Sequence, residues 1–445
     1  MAEDRECSIS RPRQDLKHDS RFQKVEAQLS VMKNITLAEL DHELEVLSGA
    51  EARSDDELRR GFGTFQLALD QSAFPDDPYS EEYYRSQMAL YCRIAVSEGY
   101  QLSNERTLLD GVENMARVPF PYYTRSPQTV SDQLMAIGFI IRTLNLPAGA
   151  TILEFGPGWG NTTIHLARMG YSVTAVDIEP NFVEIIKQRA AAIACPVRVM
   201  VGNFGSTPEP DERFDAILFF ECFHHCADHL KLIDRLRELV NPGGVVAFAA
   251  EPILEEFHAP WGVRLDGMAL WSIRRSKWME LGYKESYFVR TMMRAGWTIS
   301  KHVCNATPLG VVFLARRNSG VYNMGELLIP KDEESTWAPP ESDPAVGVRF
   351  TAGDSVLSLD QDVQWNEVSV DVVNSAPFPQ TPIVRCGGEE CSLQIMAGAE
   401  ATFTLRLPAT GRKLRISSSS WCPKELHINE DPRILGVAVR RLRFR

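Results

Sequence analysis

The distribution of apolar residues divides the chain into three textures. Val25, Leu29, Met32, Leu37, Leu40, Leu44 and Leu47 recur three to five residues apart, close to the helical repeat. One or two amphipathic helices are expected there, suited either to self-association or to packing on the chain's own core. Helix-rich sequence continues over 51–145, broken by loops such as PDDPYS and PFPYYTRSP, and Ser131 to Leu144 predicts a strong apolar helix. From Ala150 the pattern changes. The runs ATILEFG, SVTAVDI, VRVMVG, FDAILFFE and VVAFAAEP read as five buried strands, with helices near 161–169, 181–194 and 228–240 between them. That alternation predicts an α/β domain with a parallel sheet. A helix at about 284–296 precedes TISKHVC and GVVFLARR, a final hairpin.

A Pro-, Glu- and Ser-rich stretch including WAPPESDP then reads as a linker. After it come short β-branched runs separated by Gly, Pro and Asn, the texture of an all-β sandwich. The expected division is therefore 1–20 disordered, 21–147 a helical N-terminal and lid region, 148–329 a doubly wound α/β domain, 330–345 a linker and 346–445 a β-sandwich.

A chain of 445 residues accommodates two or three such domains. Its net charge of -12 and pI near 5.4 disfavour a nucleic-acid or anionic-lipid partner. Arg440, Arg441, Arg443 and Arg445 form one basic exception, read as the solvated edge of a last strand. Nine cysteines cannot all pair and show no framework, so reduced thiols in a cytoplasmic protein are expected. The first twenty residues have no apolar core and no run of 18 apolar residues occurs anywhere, so neither export nor membrane insertion is expected.

The most informative segment is Glu154-Phe155-Gly156-Pro157-Gly158-Trp159-Gly160, at the carboxyl end of the first strand. Glycines suit a loop that turns tightly and lets its backbone approach a ligand, and ligands in open α/β sheets bind beyond these strand ends. The dinucleotide fingerprint G-x-G-x-x-G would place its third glycine at 161, which is Asn161; the third glycine here is Gly160. Asp177 ends the second strand, where a carboxylate can accept both hydroxyls of a ribose or cap the helix beginning near Pro180. Asn203-Phe204 follows the third strand, offering an amide to an adenine amine and a ring to cover its face.

Together with FDAILFFECFHH, Asn241-Pro242-Gly243-Gly244 and the final reversed hairpin, these residues resemble the seven-stranded class I methyltransferase family over about 148–317. The resemblance implies an S-adenosylmethionine site formed by Glu154, Gly156, Gly158, Gly160, Asp177, Asn203 and Phe204. Asn203 departs from the family, which often has Asp there.

Methyl transfer from a sulfonium is an in-line displacement, for which an enzyme supplies alignment and desolvation. A hydroxyl acceptor also benefits from a general base. Glu221, His224, His225 and His229 follow the fourth strand and Glu251 the fifth, and His224 and His225, with Glu221, are the candidates for catalysis. A metal held by Glu221, Glu251 and a histidine lacks a compact ligand motif, so no metal is expected. Tyr122, Tyr123 and Arg125 of the aromatic loop, Glu251, and Trp261 of the insert after the fifth strand are the candidates for contacting the acceptor.

The segment Asp431 to Val439 resembles one found near the ends of β-sandwich domains in bacterial surface-polysaccharide enzymes. That resemblance implies a saccharide acceptor, or association with polysaccharide-assembly enzymes. A small natural-product acceptor, or a glycan-binding scaffold with a degenerate fold, are the alternatives. A homo-oligomer is a further expectation.

Overall fold

The structure is a computed structural model. It describes residues 32–445 except 52–53, 70–73, 108, 110, 318–319, 326, 340, 342–346, 360–364 and 409–412. The expectations for 1–20 and for Val25 and Leu29 lie outside the described residues. The chain divides into two units: residues up to 69 with 265–271, and the remainder.

In the first unit, helix Leu40–Glu51 buries Leu40, Leu44, Leu47 and Ala50, the inner stripe of an amphipathic helix. The apolar spacing before it does not continue as helix. Lys33–Ile35 is instead a strand paired in parallel with Phe65–Leu67. A second helix, Asp55–Phe62, starts where the Ser54 side chain accepts a hydrogen bond from Glu57 N at 3.2 Å.

The second unit opens its sheet domain with α1 (Pro127–Leu144). Ser126 caps α1 by accepting from Thr129 N, and Pro127 fills the first turn, where no N–H partner is needed. There follow β1 (Thr151–Phe155), α2 (Asn161–Arg168), β2 (Ser172–Asp177), α3 (Pro180–Ala192), β3 (Arg198–Val201), β4 (Phe214–Phe220), α4 (His229–Leu239), β5 (Val240–Ala249), α5 (Glu285–Arg294), β6 (Trp297–Val303) and β7 (Val311–Arg317). The strand order is β6-β7-β5-β4-β1-β2-β3. β1 to β5 are parallel, and β7 inserts antiparallel between β5 and β6. This is the class I methyltransferase fold.

β1 has β2 on one side and β4 on the other, so the direction of winding reverses there. That leaves a crevice beyond the carboxyl ends of β1 and β4. Below it Ile152, Leu218 and Ala247 are fully buried in one apolar cluster, which fixes the height at which each strand releases its loop.

The C-terminal region forms two antiparallel sheets. Its strands are β8 (Val321–Asn323), β9 (Arg349–Phe350), β10 (Asp354–Ser358), β11 (Glu367–Val373), β12 (Ile383–Cys386), β13 (Glu389–Ser392), β14 (Glu400–Arg406), β15 (Lys413–Ser417) and β16 (Ala438–Phe444). One sheet runs β8-β16-β11-β14 with β9 also on β16, and the other β10-β15-β12-β13. Val370, Leu442, Val384 and Ile416 from the two sheets share a core.

Its first strand lies earlier in sequence than expected. β8 falls within the 148–329 span but pairs with β16. Within the expected linker, Trp337 is buried in the C-terminal core and its indole N–H donates to Val356 O at 2.8 Å. Glu333 accepts from Ser358 N at 2.8 Å and faces Arg290 of α5 at 3.4 Å. The Pro- and Glu-rich composition concealed these anchors because one large apolar residue, Trp337, sets no period. Asp431 to Val439 is likewise absorbed by the fold. Arg433 pairs with Asp431 at 2.7 Å and Glu341 at 2.9 Å, while the Trp421 indole N–H donates to Gly436 O.

Trp337→Ala should cost about 3–5 kcal/mol, the range for emptying a buried aromatic site. The check is a lowered denaturant midpoint in the unfolding transition of the full chain. A loss below about 0.5 kcal/mol, typical of a surface position, would return the segment to a linker.

Candidate functional site

The glycine-rich loop connects β1 to α2. Gly160 has φ +71°, and a Cβ there would lie 2.5 Å from Ile186 Cγ1, so the packing of α2 against α3 requires glycine. Gly158 has φ +50° with nothing within 4 Å of a would-be Cβ. Its backbone therefore faces open space, the condition for close approach by a ligand. The loop is tied to β2 by its own chemistry: Gly158 N donates to Asp177 Oδ2 at 3.0 Å, and Glu179 N donates to Asp177 Oδ1 at 2.8 Å. The cap of α3 is Glu179, whose side chain accepts from Asn181 N. Asp177 thus supports the helix start without being its cap, and a carboxylate has lone pairs left for a diol.

Burial governs the charges. It pushes the Asp177 carboxyl up to about 6, against the backbone bonds from Glu179 and Gly158. It pushes Glu154 up to about 7, only partly opposed by the hydrogen bond from Thr163 Oγ1 and aided by the negative Asp177. Phe204 sits edge-on to Phe155 and Phe219, with centroids 5.9 and 5.6 Å away. Asn203 is exposed, and its backbone N–H donates to Ser206 Oγ at 3.1 Å.

A pocket opens over the loop. Glu154, Gly156, Gly158 and Glu221 line it, with Phe120, Gln133, Trp159 and Asn161, which the sequence reading did not single out. Asn161 Nδ2 donates to Phe120 O at 2.7 Å and to Gln133 Oε1 at 2.6 Å. The residue that excluded the dinucleotide fingerprint thereby fastens the aromatic loop to α2. Tyr123 stands edge-on to Trp159 and Phe120, each 6.0 Å away. Tyr122, Tyr123 and Arg125 are exposed. A signal for Asn161 existed in its position at the start of α2, but its partners lie 28 and 41 residues away.

The acceptor side is built on two left-handed residues. Glu221 (φ +53°) and Ala250 (φ +52°) end β4 and β5, each at a cost of order 1 kcal/mol for a non-glycine. Both chains turn sharply, and Glu251 meets the turn Cys222–His225. Its Oε1 accepts from Cys222 N and Phe223 N at 2.9 Å each, and its Oε2 accepts from His224 N at 3.1 Å and faces His224 Nδ1 at 2.8 Å. Burial would raise this carboxyl, but His224 and these backbone donors together hold it below its ordinary value. Glu251 is thus a clasp under the turn; all of its side chain is buried, which removes it from direct contact with an acceptor.

His225 lies beside His224, ring centroids 4.3 Å apart. Its Nδ1 faces Met279 O at 2.7 Å and Glu105 Oε2 at 3.3 Å. Burial opposes its charge, yet the Glu105 hydrogen bond and the negative field of Glu280 and Glu105 raise it to about 9. His229 belongs elsewhere. It is buried, lowered to about 3 by desolvation, bonded to Tyr287 Oη at 3.0 Å and packed on Trp261. Trp261 is not brought to the pocket either. It is 2% exposed and donates its indole N–H to Pro78 O at 2.8 Å. An aromatic residue in an insert reads the same in sequence whether it stacks on a ligand or on the core.

Comparison with known proteins adds to this geometry. Residues 152–244 match a family model described as "Methyltransferase domain". An uncharacterized methyltransferase of Geobacillus kaustophilus is 31% identical over 143 residues, 32% of this chain and 59% of its own length. A ubiquinone biosynthesis O-methyltransferase of Azorhizobium caulinodans is 32% identical over 109 residues, 24% of this chain and 43% of the relative. The chain spans about half the length of the curated relatives it matches. Among solved structures, a 1,6-didemethyltoxoflavin-N1-methyltransferase of Burkholderia thailandensis covers 48% of this chain and 93% of its own, with 19% identity and a TM-score of 0.33. No helix among the described residues is long and apolar enough to cross a membrane. The sheet domain thus has the class I methyltransferase fold and its residues 152–244 match the methyltransferase model; the cofactor of such enzymes is S-adenosylmethionine.

Proposed function

We propose that this protein transfers the methyl group of S-adenosylmethionine to a hydroxyl oxygen of a small-molecule or saccharide acceptor. The observation that carries the proposal is the pairing of two chemistries at adjacent strand ends. Beyond β1 and β2 the Asp177 carboxylate, held by Gly158 N, offers oxygen lone pairs to a diol, and a histidine pair stands beyond β4. The residues present fit the cofactor: open space at Gly158, a carboxylate with unfilled lone pairs at Asp177, and a half-buried aromatic ring at Phe204.

When bound, the cofactor supplies an electrophilic methyl group whose bond to sulfur breaks as the bond to the acceptor oxygen forms. The protein's share is to align the two and to manage the acceptor's proton. Glu251 fixes the His224 ring through Nδ1, which leaves Nε2 as the lone-pair nitrogen. His224 is the group that draws off the hydroxyl proton through Nε2, with His225 as its immediate neighbour, and Glu221 stands on the wall of the pocket over the loop. The aromatic loop with Tyr122, Tyr123 and Arg125 serves as the rim that admits the acceptor. What supports an oxygen acceptor is this histidine pair, together with relatives named as O-methyltransferases. What supports a sugar of a bacterial surface polysaccharide is the resemblance of Asp431–Val439 alone.

Three outcomes are expected. Asp177→Ala should weaken binding of S-adenosylhomocysteine at least tenfold, about 1.4 kcal/mol, measured by calorimetry; an unchanged dissociation constant would contradict the ribose assignment. Because the ionised Asp177 is the competent form and titrates near 6, affinity should fall as pH drops through 6, and Asp177→Asn should lessen that dependence. A wild-type affinity that is flat from pH 5 to 8 speaks against this role. Replacing both His224 and His225 with Ala should lower turnover about a hundredfold or more while sparing cofactor binding. Methyl transfer tested side by side on nucleotide-sugars, glycans and phenols decides the acceptor class; activity on phenols alone removes the saccharide.

A further inference from the structure

The polar cluster beyond β4 has the composition of a ligand shell for a cation. One ligand atom from each of His224, His225 and Glu280 lies within 4.8 Å of the other two. Both imidazoles are held from behind. His224 Nδ1 meets the Glu251 carboxylate at 2.8 Å, and His225 Nδ1 meets the Met279 carbonyl at 2.7 Å. A carboxylate or carbonyl on Nδ1 is how metal-binding histidines are oriented, because it fixes the proton there and leaves Nε2 as donor to the metal. The other ring nitrogen, His224 Nε2, stands 3.6 Å from Glu280 Oε2. That is long for a hydrogen bond. It is close to the edge, about 3.4 Å, between neighbouring ligands of a tetrahedral ion with bonds of about 2.1 Å.

Charge points the same way. Glu105, Glu251 and Glu280 have side chains less than a tenth exposed, and Glu280 faces the Arg264 guanidinium at 3.2 Å. Three buried carboxyl groups stand against this guanidinium, and the two imidazoles and backbone N–H groups share the rest of the compensation that buried charge needs. Imidazole nitrogen with carboxylate oxygen is a donor set for first-row divalent ions.

We infer that His224, His225 and Glu280 bind a divalent first-row transition-metal cation, with Glu251 and the Met279 carbonyl as orienting partners. The remaining coordination positions would take oxygen donors, water or the acceptor's hydroxyl. The inference rests on the reading of this turn as the acceptor side. A bound cation and a free imidazole base are alternative uses of the same lone pairs, so the experiment must separate them.

The full-length protein is stripped with a chelator and titrated with Co²⁺, following the visible absorption of the bound ion. Saturable uptake of one equivalent is expected, with at least a tenfold weaker association in Glu280→Gln and in His225→Ala. Each variant is also titrated with S-adenosylhomocysteine, whose site does not include these residues; retained binding shows that the sheet domain is folded. No Co²⁺ uptake by the wild type, or equal uptake by both variants, overturns the inference and leaves the imidazole as a simple base. Loss of S-adenosylhomocysteine binding in the wild type with Co²⁺ uptake intact would instead count against the proposed function alone.

Discussion

One buried carboxylate organises the acceptor side of this protein. Glu251 receives three consecutive backbone N–H groups and one imidazole. Without it the turn after β4 would bury three unsatisfied donors, each costing about 1–3 kcal/mol. The arrangement needs two left-handed residues, Glu221 and Ala250, to swing both strand ends toward each other. The strain is local, and the four hydrogen bonds offset it. The placement of His224 depends on that clasp, since it decides which nitrogen of His224 carries the proton and in which direction the ring points.

The cofactor side follows a different logic. There side chains hold the backbone in shape: Asp177 grips Gly158, and Asn161 fastens the loop around Phe120. The carboxyl groups buried there are raised by desolvation, whereas Glu251 is lowered by its donors. Burial is common to all three; the imidazole and backbone donors around Glu251 reverse its effect there, while neighbouring carboxylates add to it at Glu154 and Asp177.

Much of the sheet domain was legible because its signals are local. Short, mostly apolar strand runs, a Pro at the start of α3 and three glycines two apart each declare themselves within a short window. Asp177 was legible for the same reason, although the cap of α3 proved to be Glu179. The acceptor side was harder. His225 is set by Glu105 and Met279, 120 and 54 residues distant, and Glu280 lies in a segment with no motif at all. Trp261 was misplaced because aromatic character does not reveal which neighbour it meets, and Tyr83 and His229 in fact enclose it. The Pro- and Glu-rich stretch before β9 read as a linker since composition outweighed its single buried Trp337.

The winding reversal between β1 and β4 also partitions the molecule's capacity for change. The glycine loop and Asp177 hang from β1 and β2, and the histidine turn and Glu251 hang from β4 and β5. Hydrogen bonds between strands are made by backbone and are indifferent to side chains, so the two halves of the sheet can be varied separately. Grafting a different insert onto β5, with Glu251 kept in place, is thus a route to new acceptors on an unaltered cofactor platform.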